Sequence, residues 1–241
     1  MKKKFCVFAL IVLTAIFAVS TYFLLTQNIE DKKQTDDFEE IQDIIDDNSN
    51  DIYSLGIYSD LYKQNSDFMA WIKIEGTNIN YPVMRSKNNP NYYLNHNFNK
   101  EYSRFGVPYM QEDCDMQSDN IVIYGHNMQN KSMFNELTNY KSKHFYEKHK
   151  NIIIDTVLEH REYEVIAVFK TVAYESNSFE YYNFVNASTE EDYRAYIEKC
   201  KALSLYDTGI DAKYGDKLIT LSTCEYSQDN GRFVVVAKLV D

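Results

Sequence analysis

Glycine and proline are scarce in this 241-residue chain, at 7 and 3, and no repeat or low-complexity tract interrupts it, so nothing points to a repetitive architecture. Basic side chains are outnumbered. The 25 Lys and Arg face 36 Asp and Glu, a formal net charge of −11. A surface of that sign repels phosphate backbones, which argues against a nucleic-acid partner. The four cysteines (Cys6, Cys114, Cys200 and Cys224) show no CxxC pair and no spacing of a zinc site or disulfide scaffold. What the chain does have is 44% hydrophobic and 15% aromatic residues, enough for one sizeable globular domain with a tail.

No charged side chain occurs from Phe5 to Leu25, a run of 21 residues. That length meets the roughly 20 needed to cross a bilayer as a helix. Lys2, Lys3 and Lys4 precede the run, and Glu30 and Asp31 are the first charges after it. The positive-inside tendency then keeps residues 1–4 cytoplasmic and sends the remainder out of the cell. A cleaved signal peptide is the competing reading, with Ala18-Val19-Ser20 as its small-residue site. Because the apolar run continues to Leu25, beyond the usual h-region, an uncleaved single-pass anchor is the reading adopted. With Cys6 in that segment, three cysteines remain outside, so at least one exported thiol is unpaired.

Residues 26–56 are polar and acidic and read as a stalk, although Phe38, Ile41 and Ile45 share a helical face. The extracytoplasmic domain is expected over 57–241. It opens with a helix over 57–64 that packs through Ile57, Leu61 and Tyr62. From Phe68 short strands alternate with polar turns: 70–74, 79–83, 106–110, 120–124, 152–157, 163–168, 218–223 and 233–239. Eight such runs with few helices between them predict a mainly β fold with added helices, closed into a barrel. One helix is expected over 132–140. Another follows Ser188-Thr189-Glu190-Glu191, a capping-box pattern, with Tyr193, Tyr196, Ile197 and Cys200 on its inner face. This second helix lies within a long excursion, 171–217, of the kind that carries substrate contacts, and it makes Cys200 structural.

Two strand ends carry chemistry. Thr220-Leu221-Ser222-Thr223-Cys224 runs into a polar loop whose Asp229-Asn230-Gly231 is a strong turn signal, and Arg232 opens the next strand. Antiparallel pairing would bring Arg232 back beside Cys224, where a guanidinium can stabilise a thiolate and donate to an oxyanion. An ordinary strand-end arginine beside a buried cysteine fits this hairpin equally well. The other end is Ile121-Val122-Ile123-Tyr124-Gly125-His126. Of the five histidines, His144, His149 and His160 lie among charged residues and His96 in an Asn-rich loop, so only His126 follows a core-like strand. A lone histidine is more often structural, but a cysteine nucleophile needs an acid–base partner.

Taken together, Thr220–Cys224, an arginine eight residues beyond the cysteine and Tyr124-Gly125-His126 resemble the sortases. Residues 71–83 are similar to that family's first barrel strands, and the likeness spans about 67–241. The helix-bearing excursion and the N-terminal helices are most like class B. The resemblance implies an eight-stranded sortase barrel and places His126, Cys224 and Arg232 in catalytic roles. It matches Ser222, Glu225, Tyr181, Tyr182 and Asn89 to regions that touch the sorting peptide. It further implies a secreted surface protein bearing a sorting signal as one partner, a peptidoglycan-precursor amine as the other, and no cofactor.

The implied reaction is attack by Cys224 on a Thr carbonyl, a thioester, and transfer to the amine. Arg232 and a backbone N–H near Cys224–Glu225 would steady the oxyanion. A cysteine peptidase that uses water, and a catalytically silent envelope-binding domain, are the alternatives. No metal is expected, because the acidic clusters fall in the stalk, where solvated charge is their plainer meaning.

Overall fold

The computed structural model describes residues 2–48, 55–175 and 178–240. Met1, residues 49–54 of the segment read as stalk, residues 176–177 of the excursion and Asp241 lie outside the described residues. The chain divides into two units, Met1–Asp46 and Asp47–Asp241. In the first, helix α1 (Lys2–Asn48) holds the apolar run. Among the described residues it is the one helix long and apolar enough to cross a membrane.

The second unit is a closed barrel. Its strands are β1 (Phe68–Lys73), β2 (Asn80–Met84), β3 (Tyr109–Met110), β4 (Asn120–Tyr124), β5 (Asn151–Asp155), β6 (His160–Val172), β7 (Leu218–Cys224) and β8 (Gly231–Leu239). They close in the order β1-β2-β3-β4-β7-β8-β6-β5. All neighbours are antiparallel except β2 with β3 and β4 with β7. The parallel β4–β7 pair forms because the excursion after β6 carries the chain back before β7 begins. Closure removes the free edges of so short a set of strands. Apolar and β-branched side chains fill the interior, with Trp71, Phe169, Val234 and Val236 at most 1% exposed.

All eight expected strands are present, and several boundaries and helices differ. The third strand is reduced to two residues, because the chain turns at Gly106, whose φ is +55° and whose N–H bonds Ser103. β6 begins at His160, since its charged first residues still ladder with β5. Helix α2 (Leu55–Gln64) buries Tyr58 and Leu61, while Ile57 is only partly covered and Tyr62 is exposed. The helix rotates to stack Tyr58 on Phe68 and to donate from its hydroxyl to Asp155 at 2.9 Å. In place of a helix over 132–140 there is a 3-10 segment, Asn135–Lys141, followed by α3 (Lys143–Lys148). Helix α4 (Glu190–Leu203) is capped by Thr189, one residue after the expected cap: its Oγ1 accepts from the Asp192 N–H at 3.1 Å. As expected, α4 buries Tyr193, Tyr196, Ile197 and Cys200.

Candidate active site

The site grows out of the period-two alternation of strand side chains. Thr220, Ser222 and Cys224 share one face of β7. Tyrosines of the excursion cover that face in turn: Tyr196 OH meets Thr220 Oγ1 at 3.1 Å and Tyr181 OH meets Ser222 Oγ at 2.6 Å. Cys224, at the strand end, is left partly open. On β4 the register sets Tyr124 beside Ser222, and alternation carries His126 to the same side two residues on.

Across the other edge, Cys224 pairs with Arg232. The Glu225 N–H bonds the Gly231 carbonyl at 2.9 Å, so by alternation Cys224 and Arg232 form the non-hydrogen-bonded pair, whose Cα atoms typically lie about 4.5 Å apart with their side chains together. That bond bears on one of the two backbone N–H groups expected near the oxyanion, those of Cys224 and Glu225. The backbone N–H after the cysteine is already committed and does not face an incoming carbonyl. Arg232 Nη1 donates to Gly231 O at 3.0 Å, and among the described residues no carboxylate pairs with it. Its other donors remain free to serve the cavity.

Cys224, His126 and Arg232 line one cavity of about 380 Å³, together with Ser222, Tyr181 and Tyr182. Glu225 and Asn89 stand outside that lining, although Pro90 and Asn91, next to Asn89, belong to it. Glu225 is turned to Ser227 and to Lys170, 2.9 Å away, and these partners hold its carboxyl below the usual carboxylate range. Burial pushes the Tyr181 and Tyr109 hydroxyls up to about 12, so both remain neutral donors at physiological pH and do not serve as bases.

The sequence reading assigned nothing to Leu94, Tyr109, Gln111, Asn127 or Tyr174. Asn127 links the ends of β4 and β7: its Nδ2 donates to the Cys224 carbonyl at 2.9 Å, and its Oδ1 accepts from Asn135 at 2.6 Å. Thr223 Oγ1 adds a bond to the Gly125 carbonyl at 2.7 Å. A side chain at position 125 would meet the buried Phe134 ring at 2.6 Å, so only glycine lets the histidine loop lie this close. The one sequence signal for Asn127 is its place directly after His126.

Cys114 and Cys200 are fully buried, and burial pushes their thiols up to about 11 and about 12. Neither belongs to the cavity. Iodoacetamide at neutral pH is therefore expected to modify Cys224 in the folded protein and to spare Cys114 and Cys200 until denaturant is added. Peptide mass mapping reads this directly, and early labelling of Cys114 or Cys200 would contradict it. Among the described residues no cluster of three or more His, Cys, Asp or Glu is placed to hold a metal.

A family model for the sortase domain matches residues 72–240. Sortase B of Staphylococcus aureus is 30% identical over 244 residues, covering 99% of this chain and 98% of that one. A solved Staphylococcus aureus sortase B–substrate complex superposes with a TM-score of 0.77 at 30% identity, over 88% of this chain and 99% of its own. A sortase B complexed with triglycine superposes with the same TM-score, identity and coverage. The matched region runs from β1 through β8 and contains the whole cavity described above, and its relatives are class B enzymes: the chain belongs to the sortase family of cysteine transpeptidases, in class B.

Proposed function

We propose that this sortase cuts a sorting motif near the C-terminus of a secreted surface protein after its Thr, holds the acyl group on Cys224 as a thioester, and passes it to an amine of a peptidoglycan precursor. The observation that carries the proposal is the meeting in one cavity, at the ends of β4, β7 and β8, of a thiol, an imidazole and a guanidinium that pairs with no carboxylate among the described residues. Cys224 is the nucleophile. His126 gives a proton to the leaving amine and takes one from the incoming amine. Arg232 donates to the oxyanion, a contribution typically worth about 3–4 kcal/mol per donor.

Ser222, Tyr181 and Tyr182, which line the cavity, contact the motif itself. The family resemblance adds Glu225 and Asn89 to the peptide contacts, although both stand outside that lining. The relatives solved with a substrate and with triglycine support a peptide on one side of the thioester and a glycine-type amine on the other. Helix α1 anchors the enzyme in the membrane, N-terminus inside and catalytic domain outside, supported by its apolar run and the lysines before it. Enzyme, unprocessed substrate and lipid-linked acceptor then share one surface, which raises their effective concentrations.

The test is a peptide-library cleavage assay with the full-length enzyme in detergent, with and without triglycine. Cleavage after Thr is expected, with the acyl product moving onto triglycine as its concentration rises. Acid product alone at every triglycine concentration would favour the water-using peptidase.

A further inference from the structure

His126 is held by a carbonyl. Its Nε2 lies 2.8 Å from the main-chain oxygen of Leu94, in the loop between β2 and β3. A carbonyl oxygen can only accept, so Nε2 must carry hydrogen in this arrangement. The neutral imidazole is then the Nε2–H tautomer, and Nδ1 is the nitrogen left to exchange a proton. The same bond strengthens when the ring is charged, since a cationic donor binds a carbonyl more strongly than a neutral one.

The position of that carbonyl is set from the far end of the same loop. The chain returns across its own start at Gly106, and a Cβ there would lie 2.5 Å from the Leu94 oxygen and 2.4 Å from the Tyr93 oxygen. Real side chains do not approach backbone oxygens so closely. The crossing is stitched by Val107 N–H to Tyr93 O at 3.0 Å and Ser103 N–H to Asn95 O at 2.9 Å. Tyr93, Ser103 and Phe105 are at most 2% exposed, so the crossing itself is packed on the barrel side. Gly106 also sits at a φ of +55°, in the left-handed region.

We infer that Gly106 is a positioning residue for His126, acting through the Leu94 carbonyl that fixes the imidazole's tautomer and orientation. The inference rests on the acid–base role proposed for His126. Gly106 is not part of the cavity lining. A methyl group at position 106 displaces the Leu94 oxygen, releases Nε2 and lets the ring rotate or change tautomer. The Ser222, Tyr181 and Tyr182 wall of the cavity lies on other elements, whereas Pro90, Asn91 and Leu94 line it from the displaced loop.

The test combines long-range nitrogen–proton NMR of histidine-labelled full-length enzyme in detergent with steady-state kinetics on the peptide that the library assay selects. The His126 signals are assigned by their loss in His126→Ala. In the unmodified enzyme His126 is expected as the Nε2–H tautomer, and an Nδ1–H tautomer would overturn the inference with no variant needed. Gly106→Ala is expected to mix the tautomers and to lower kcat by about 10- to 100-fold, as for a misplaced catalytic group, with a smaller change in KM from the Leu94 wall of the cavity. Gly209→Ala is the control. Gly209 also has positive φ (+76°) but open space around its Cβ position, so it tests backbone strain alone and should retain kcat. If Gly106→Ala leaves kcat and the His126 spectrum unchanged, the inference is wrong even where His126→Ala is inactive. Full turnover by His126→Ala would instead remove the acid–base role and leave the tautomer result standing. Should Gly106→Ala fail to fold, an Nδ1–H tautomer in the unmodified enzyme would still overturn the inference.

Discussion

Replacing Cys224 by alanine is expected to abolish cleavage of a Thr-containing sorting peptide, a loss of about 10⁴-fold or more, because the covalent step has no other nucleophile. Neither remaining thiol of the barrel unit can substitute. Cys114 exchanges weak hydrogen bonds with Asn120 and Val122 in the core, and Cys200 sits on the buried face of α4. The variant should still bind peptide, since the alanine removes one sulfur from a cavity whose walls come from six other segments. Two measurements separate the roles: steady-state turnover, and mass spectrometry of acid-quenched enzyme after mixing with peptide. The unmodified enzyme should gain the mass of the acyl fragment in a bond that hydroxylamine cleaves, and Cys224→Ala should gain nothing. Persistent turnover, or an adduct mapped to another residue, would remove the nucleophile assignment. Cys200→Ala is the matched control, expected to lower stability through a small cavity and to leave the adduct intact.

The elements of the barrel were legible in the sequence wherever a strand is buried on both faces. Asn120–Tyr124 and the run into Cys224 read as strands because apolar and β-branched residues dominate them and turn residues bound them. Arg232 could be brought to the neighbourhood of Cys224 because a hairpin needs only local pairing, and the structure makes the two direct register partners. His126 belongs with them through a parallel pairing across about a hundred residues, which no local pattern encodes. The family resemblance supplied that link.

Side-chain direction was the harder matter. Glu225 is next to the nucleophile yet bonds Lys170 and Ser227, because the next residue along a strand points to the opposite face. Leu94 matters through its backbone oxygen, which a side-chain reading does not see. The Asn127 contacts join three segments and exist only once the barrel has closed. The 3-10 segment Asn135–Lys141 was read as a regular helix because its apolar spacing fits either form over so few residues.

Arg232→Lys should keep the charge and lose most of the activity. A guanidinium is a rigid planar fork with five donors, whereas an ammonium is a compact, strongly hydrated point charge. In this hairpin the distinction is sharp. One nitrogen of Arg232 is spent on the Gly231 carbonyl, which aims the plane, and only the remaining nitrogens can reach into the cavity. A lysine has no second arm to hold it in that direction. The Glu225 N–H offers no replacement while it stays bonded to Gly231 O, so the oxyanion would lose its main directed side-chain donor. Loss of one such donor corresponds to about 10²–10³ in kcat. KM for the peptide should move little, because the missing interaction forms in the transition state and not in the ground state. If charge alone mattered, as for simple electrostatic support of the thiolate, Arg232→Lys would retain near-normal kcat and Arg232→Ala would not. The comparison of the two variants on kcat, with iodoacetamide reactivity of Cys224 measured beside it, therefore tells a directed hydrogen-bond donor from a nearby positive charge.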